Sequence, residues 1–396
     1  MKTQYDYLIV GAGMTAANAA KAIRKNRPSA SIAILGEEQH PPVTRPALSK
    51  KLWTDPEFTE DDIWMITDDD RVEVHTETRI TRLDRAARTV ATEDGAEFGY
   101  SKLLLATGGA PKTLPDLPAS DRVLYFRTYA DYQRLRDAAT PGARMLVAGG
   151  SYIGCELAAA LVQQGCEVTL ITPDGVLGEP LFPDAFARHF QDTFTEHGVS
   201  VITRRQVTGG SVGEQGVCVT LDDGSTLEGD MLAAGIGITP ETALAEQAGL
   251  SVDDGIVVDQ WLTTDDSNIF AAGDVARYPD VRLGAQRVEH VDNANQMGTQ
   301  AGHNMAGVAS AYTHTPYFYS NVFDLGFKAV GTADASNLDT VSDWQTPNRK
   351  GAIFYLDGDT LKGVMLIDLD DQLDAARALL EQPTITDRDA LKGKLT

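Results

Sequence analysis

The chain has 396 residues, 42% of them hydrophobic and 23% charged, a globular composition with room for two or three domains that each bury a core. A net charge of −23 speaks against nucleic acid or an anionic membrane as partner, and no apolar run approaches the length needed to span a bilayer. The acidity reads either as a solvated surface, as in a salt-adapted or acidic proteome, or as a field that steers a basic protein partner; composition does not separate the two.

A strand begins by residue 5, which leaves no room for a cleaved signal or transit peptide, and the chain is expected in the cytoplasm. The strand Leu8-Ile-Val10 runs into Gly11-Ala-Gly13-Met-Thr-Ala16, then an alanine-rich helix, then Ser31–Leu35 and Glu37. Further on, Met145-Leu-Val-Ala runs into Gly149-Gly-Ser151-Tyr-Ile-Gly154, a helix, Val168–Ile171 and Asp174. In such a unit the glycines let backbone N–H groups approach a pyrophosphate at the helix N-terminus, and the later acid holds a ribose hydroxyl. The acid stands 21 positions after Ala16 in the first unit and 20 after Gly154 in the second. A chain that binds two dinucleotides usually carries electrons from one to the other.

The first unit closes near residue 117, after an apolar strand that ends in Ala106-Thr107-Gly108. The second occupies 118–242 and closes in a similar way, with Met231–Ala234 followed by Gly235-Ile-Gly237. Asn268–Ala272 is another strand that ends in Gly273-Asp274, and a helix from Asn293 to Met305 begins just past Glu289-His290. From 314 the character changes: the runs Val322–Leu325, Ala352–Leu356 and Gly363–Ile367 read as short strands, followed by a helix near Asp371–Gln382. The last dozen residues are polar and expected to fray. Cys155, Cys166 and Cys218 form no C-x-x-C pair and read as small buried hydrophobes in a reducing compartment. No second metal ligand stands at a recognisable spacing from any of the seven histidines, so no metal is assigned.

The order Gly11-x-Gly13-x-x-Ala16, Arg45-Pro-Ala-Leu-Ser-Lys50, Ala106-Thr107-Gly108, Gly149 to Glu156, and Ala272-Gly273-Asp274 resembles that of flavoprotein pyridine-nucleotide oxidoreductases with the glutathione-reductase fold. Within these, Arg45 to Trp53, Arg287-Val-Glu-His290 and Gly351–Leu356 resemble the apoptosis-inducing-factor branch, whose close relatives are bacterial ferredoxin reductases. The resemblance covers nearly the whole chain, and five spaced motifs in order make it specific. It implies an α/β, glutathione-reductase-like fold with two Rossmann-like dinucleotide-binding domains and a C-terminal α+β domain. The FAD domain would be discontinuous, 1–117 and 243–313, with an NADH domain at 118–242 and the C-terminal domain at 314–396. FAD would sit on the first loop and NADH on the second.

The resemblance also implies roles. Glu37 would bind the adenosine ribose of FAD, against the alternative of an ordinary exposed acid beside Glu38. Gly273 and Asp274 would meet its ribityl or pyrophosphate part, and Ala106, Thr107, Gly108 and Gly237 line the cofactors. Arg45 and Arg127 match positions that contact the FAD phosphates or flavin, where guanidinium gives bidentate pairing; for Arg127 a plain surface arginine stands equally. Lys50 would lie beside flavin N5 and pair with Glu156, which contacts the nicotinamide, although both also read as a solvated lysine and a first-turn helix acid. His290, with Glu289, precedes a helix whose positive N-terminus would face the flavin where negative charge develops on reduction. Tyr319 stands where relatives carry a tryptophan against the flavin edge, or belongs to a core aromatic cluster.

Three positions depart from the pattern. Ser151 replaces the middle glycine of the second loop, where it would crowd or donate to the pyrophosphate; Tyr319 replaces tryptophan, and Asn321 replaces aspartate. NADH is expected over NADPH because Asp174 would repel a 2′-phosphate and no Lys or Arg occurs between Arg144 and Arg188. Hydride would then pass from NADH to flavin N5, and electrons onward to an acceptor. Three readings of the acceptor stay open. A quinone, oxygen or small molecule is one. A ferredoxin or rubredoxin is the second, provided a basic patch (Lys328, Arg349, Lys350) meets its acidic surface. The third is no acceptor at all but a redox sensor whose association with a partner, or with itself as a homodimer, follows NADH.

Overall fold

The computed structural model describes residues 3–381, 384, 385 and 387–395, and the chain divides into two compact units. The first comprises Met1–Arg45, Thr59–Ala110 and Thr239–Pro316; the second comprises Pro46–Phe58, Pro111–Ile238 and Tyr317–Thr396.

In the first unit the apolar runs become parallel strands buried on both faces, as uninterrupted Val/Ile/Leu stretches do. Their order is Glu73–His75, Ile32–Leu35, Gln4–Val10, Glu97–Leu105, with Ile269–Ala271 beyond the last and an antiparallel pair, Ile80–Asp84 and Thr89–Thr92, completing the sheet. The register sets Leu8 opposite Ala33 and Leu103, and Leu103 opposite Ile269. The helices Met14–Asn26 and Val291–Met305 pack backbone to backbone: a Cβ on Gly298 or Gly302 would lie 2.4 Å from the carbonyl oxygen of Thr15 or Ala19. Thr15 meets Gly298, Ala19 meets Gly302 and Arg27 meets Ala306, so the helices run in the same direction. Both positive ends therefore lie at the carboxyl edge of the parallel strands, where open α/β sheets bind ligands.

The second unit holds a five-stranded parallel sheet in the order Ser200–Ile202, Glu167–Ile171, Arg144–Ala148, Met231–Ala234, Val123–Tyr125. An antiparallel three-stranded sheet (Val207–Gly213, Gly216–Leu221, Thr226–Gly229) and the five-stranded antiparallel sheet of the tail complete it. Segment Pro46–Phe58 is tied down by Trp53, whose indole donates to the Leu48 carbonyl at 2.6 Å, packs edge-on against Tyr132 at 5.5 Å, and lies under the Arg136 guanidinium. Gln164 donates to the Trp53 carbonyl at 3.1 Å.

The tail corrects three sequence expectations. Val322–Leu325 is not a strand but the turn joining Tyr317–Val322 to Leu325–Gly331. Its Phe323 takes a left-handed φ of 53° and stacks on His197 at 3.9 Å, so packing overrides the turn preference of a bulky residue. The helix is Leu373–Leu379, preceded by a single tight turn over Asp370–Gln372, and Gln382 lies outside the described residues. The final stretch does not fray throughout: Leu391 and Leu395 are buried in the tail core, and Arg388 pairs with Asp339 at 2.7 Å. The two leucines dock it together with that ion pair and the Gly393 N–H, which donates to Asp343 at 2.8 Å.

Candidate cofactor and redox sites

In the first unit, Gly11 has φ +103°, and a Cβ there would meet the Ala106 carbonyl at 2.2 Å, so this glycine serves the tight turn. Gly13 differs. Its φ of −97° suits any residue and a Cβ would meet nothing within 4 Å, so neither backbone strain nor protein packing calls for glycine. What remains is room for something outside the chain. Gly13 is also the N-cap of Met14–Asn26, with no side-chain cap and no acid in the first turn, so the helix start is left for an anion. Ala16 is fully buried on the helix. These features fit the pyrophosphate of a dinucleotide.

Around that loop, Glu37 follows the strand Ile32–Leu35 and is exposed, 3.9 Å from Arg79. Thr107 donates to the Glu241 carbonyl at 2.8 Å, and Gly108 has φ +66°. Gly273, with φ +80°, presses against Thr15, where a Cβ would lie 2.3 Å from Oγ1, and brings Asp274 beside the first turn of the glycine-loop helix. Arg45 pairs with Glu38 at 2.5 Å. His290 caps Val291–Met305, and desolvation lowers its proton affinity against the opposing pull of Asp274 and Asp292, keeping the ring neutral near pH 7. Glu289 accepts from Arg287 at 2.6 Å. Sequence reasoning left Arg287 unassigned: its Nη1 also donates to the Asp274 carbonyl at 3.1 Å, and its buried Nε has no hydrogen-bond partner.

In the second unit, Gly149 has φ +108° against the Gly235 carbonyl, and a Cβ on Gly154 would lie 1.8 Å from the Gly149 carbonyl, so both glycines are dictated by packing. Ser151, exposed at the N-cap of Tyr152–Gln163, makes no cap bond and donates instead to the Gly235 carbonyl at 3.2 Å. Its hydroxyl is thus occupied within the loop. Gly237 has φ +95° beside Lys112. Arg127 donates its backbone N–H to Asp131 at 3.1 Å, next to the capping box of Tyr129–Ala138. Asp174 follows Glu167–Ile171; burial raises its proton affinity, Thr172 opposes this through a hydrogen bond, and Glu179 adds to it.

The cation expectation here needs correction. No Lys or Arg adjoins Asp174 in sequence, yet the parallel pairing of Thr169 with Ser200 brings Arg204 to it. The Arg204 N–H donates to the Asp174 carbonyl at 2.8 Å, and its guanidinium Nε lies 3.3 Å from where a Cβ of Gly175 would stand. Arg205 is engaged with Asp223 at 2.6 Å.

Lys50 and Glu156 come together. Lys50 Nζ lies 2.7 Å from Glu156 Oε1 and 5.1 Å from the centre of the Tyr319 ring, and the Glu156 side chain is only 1% exposed. Ser49 Oγ donates to Oε2 at 2.6 Å and Ser320 Oγ to Oε1 at 2.7 Å. Neither serine was assigned a role from the sequence, although Ser49 lies within the Arg45–Lys50 motif beside Lys50, and Ser320 falls on the inward face of its strand beside Phe318 and Val322. Tyr152, in the first turn of the Glu156 helix, packs on Phe318 and Phe327 at 5.5 and 6.1 Å. Asn321 is exposed on the same strand. The supposed basic patch is compensated: Lys328, Arg349 and Lys350 face Asp370, Asp324 and Asp368 at 3.0, 2.6 and 3.9 Å. Among the described residues no helix is long and apolar enough to cross a membrane.

The pyridine nucleotide-disulphide oxidoreductase family profile matches residues 5–298. The ferredoxin–NAD(+) reductase component of the anthranilate 1,2-dioxygenase system of Burkholderia cepacia is 33% identical over 96% of this chain and 95% of its own. Apoptosis-inducing factor 1, mitochondrial, of Dictyostelium discoideum is 30% identical over 98% of this chain and 81% of its own. Among solved structures, the covalent putidaredoxin reductase–putidaredoxin complex aligns with a TM-score of 0.90 at 27% identity, over 98% of this chain and 95% of that one. The chain belongs to the pyridine nucleotide-disulphide oxidoreductase family, an FAD-dependent NADH oxidoreductase akin to the ferredoxin reductases and the apoptosis-inducing-factor-like proteins.

Proposed function

We propose that this enzyme passes electrons from NADH through FAD to a ferredoxin-type protein, in the cytoplasm where NADH is made available to it. The observation that carries the reading is the presence in one chain of two glycine loops and of the Lys50 ion pair with the buried Glu156. The relatives named as ferredoxin reductases support the acceptor class. We further propose the glutathione-reductase-like arrangement, with FAD held by 1–117 and 243–313, NADH by 118–242, and 314–396 as the C-terminal domain. The two loops belonging to separate parallel sheets support it.

Gly11, Gly13 and the free amides of the first helix would hold the FAD pyrophosphate, Glu37 the adenosine ribose, and Asp274 the ribityl chain, with Arg287 fixing the Asp274 backbone from beneath. Bound FAD supplies the acceptance of a hydride and the release of single electrons, chemistry the side chains lack. Gly149–Gly154 would hold the NADH pyrophosphate and Asp174 its ribose. Glu156 would orient the carboxamide, Lys50 would present positive charge to the flavin, and the start of Val291–Met305, with neutral His290, would stabilise charge on the ring.

Anaerobic titration with NADH, then mixing with a ferredoxin-type protein, a quinone or oxygen, tests this. Bleaching of the flavin band followed by reoxidation fastest with the ferredoxin is expected. Failure to bleach would refute the NADH assignment, and faster reoxidation by quinone would replace the acceptor. A reduced complex that persists in air while the oligomeric state changes would indicate sensing.

A further inference from the structure

Three segments distant in sequence converge on one carboxylate. Glu156, in the second turn of Tyr152–Gln163 and not in the first as the sequence suggests, receives Lys50 and Ser49 from Pro46–Phe58 and Ser320 from the strand Tyr317–Val322. A carboxylate offers about four acceptor positions on its two oxygens. Here Oε1 takes Ser320 at 2.7 Å and Lys50 at 2.7 Å, and Oε2 takes Ser49 at 2.6 Å. Both serines are themselves buried, at 3% and 2% exposure. A buried hydroxyl carries a desolvation cost unless it is hydrogen-bonded, and the acceptor of each is this one carboxylate.

We propose that Ser49 and Ser320 are positioning residues that fix the Glu156 carboxylate by both oxygens and, through it, the Lys50 ammonium; this rests on the reading of Lys50 and Glu156 given above. Lysine is a compact charge on a flexible four-carbon stem, and a single contact to a carboxylate free to rotate would leave it poorly placed. Grasping the carboxylate from Oε1 and Oε2 removes that rotation. The Lys50 side chain retains 15% exposure against 1% for Glu156, so lysine is the presented group and glutamate its buried anchor. The Tyr319 ring, 5.1 Å from Nζ, adds a second contact to the ammonium.

Threonine and valine at position 320 have the same shape and differ by one hydroxyl, so Ser320→Thr and Ser320→Val separate hydrogen bonding from packing. With FAD bound in each, Ser320→Val is expected to slow flavin reduction at saturating NADH by about tenfold, while Ser320→Thr stays within about threefold of the parent. Ser49→Ala is expected to match Ser320→Val. The flavin midpoint potential, measured without NADH, is expected to fall in Ser320→Val and Ser49→Ala and to hold in Ser320→Thr, because a displaced ammonium stabilises the reduced ring less. Equal rates and equal potentials for Thr and Val would overturn the proposal, reducing the serines to satisfied core groups. If NADH does not reduce the parent protein, the functional reading fails separately, and the Thr/Val difference in potential still decides the role of the serines. Thermal melting of the Thr/Val pair guards against unfolding as the cause.

Discussion

The two glycine loops differ at their middle position, and the difference can be tested by exchange. Gly13 has an ordinary φ and open space where a Cβ would stand, so the protein itself tolerates a side chain there. Serine is a good N-cap, and Gly13→Ser should leave the melting temperature of the apoprotein unchanged or slightly raised. It should nonetheless weaken FAD retention by about tenfold, from crowding and loss of backbone approach at the phosphate; unchanged retention on gel filtration would count against this loop as the FAD site. In the reverse exchange, Ser151→Gly frees the second loop and is expected to tighten NADH by about threefold, about 0.6 kcal/mol. A dissociation constant that is unchanged or worse would show that the serine does not hinder the nucleotide. Asp174 adds a pH dependence. Its burial raises its proton affinity, so the carboxylate proposed to accept ribose hydroxyls is lost at a higher pH than for a solvated aspartate. NADH affinity should therefore be fully present at neutral pH and decline on acidification from above the usual aspartate range, and Asp174→Asn should flatten this limb. With the repelling charge gone and Arg204 adjacent, the same variant should raise the NADPH-to-NADH preference, read as the ratio of kcat/KM values.

At the scale of elements, the short stretch Pro46–Phe58 decides where Lys50 stands, and one indole anchors it. Trp53→Ala removes the bond to Leu48, the Tyr132 contact and the Arg136 stack together, and should cost about 3–5 kcal/mol in denaturant unfolding. Flavin reduction should fall with it even where the protein is folded, whereas Trp53→Phe should recover most of the stability. An unfolding midpoint moved by less than about 1 kcal/mol would mean that other contacts hold the segment. The central parallel strands were legible because Leu8–Val10, Leu103–Leu105, Met145–Ala148 and Met231–Ala234 are apolar runs closed by small residues, and the two loops because their glycines recur at the spacing that suits a pyrophosphate. The hairpin at Phe323 was not, because the apolar run crosses the turn and the bond that settles it, ring against His197, is made to a helix end more than a hundred residues earlier. Arg204 escaped for the same reason, since strand pairing brings it to Asp174; Ser49 and Ser320 stand next to the assigned Lys50 and Tyr319, but their bonds to Glu156 are made only in the fold.

At the scale of the whole molecule, the charge of −23 is not offset where a partner was expected to need it. Lys328, Arg349 and Lys350 each face an aspartate, so their local field is close to neutral. An acidic ferredoxin-type acceptor would approach against net repulsion, which mobile ions screen over about 10 Å at 0.1 M salt. The second-order rate of electron transfer to such an acceptor should thus rise with ionic strength, by roughly threefold or more between about 0.01 and 0.2 M. A basic acceptor such as a cytochrome should show the opposite slope, and an uncharged quinone almost none. Stopped-flow reoxidation across a salt series distinguishes these directly, because flavin reduction by NADH is measured separately and its own salt response can be divided out. A rate to the acidic acceptor that falls as salt is added would mean that a local cationic surface outweighs the global charge, and would direct the search for the docking face to lysines and arginines other than these three.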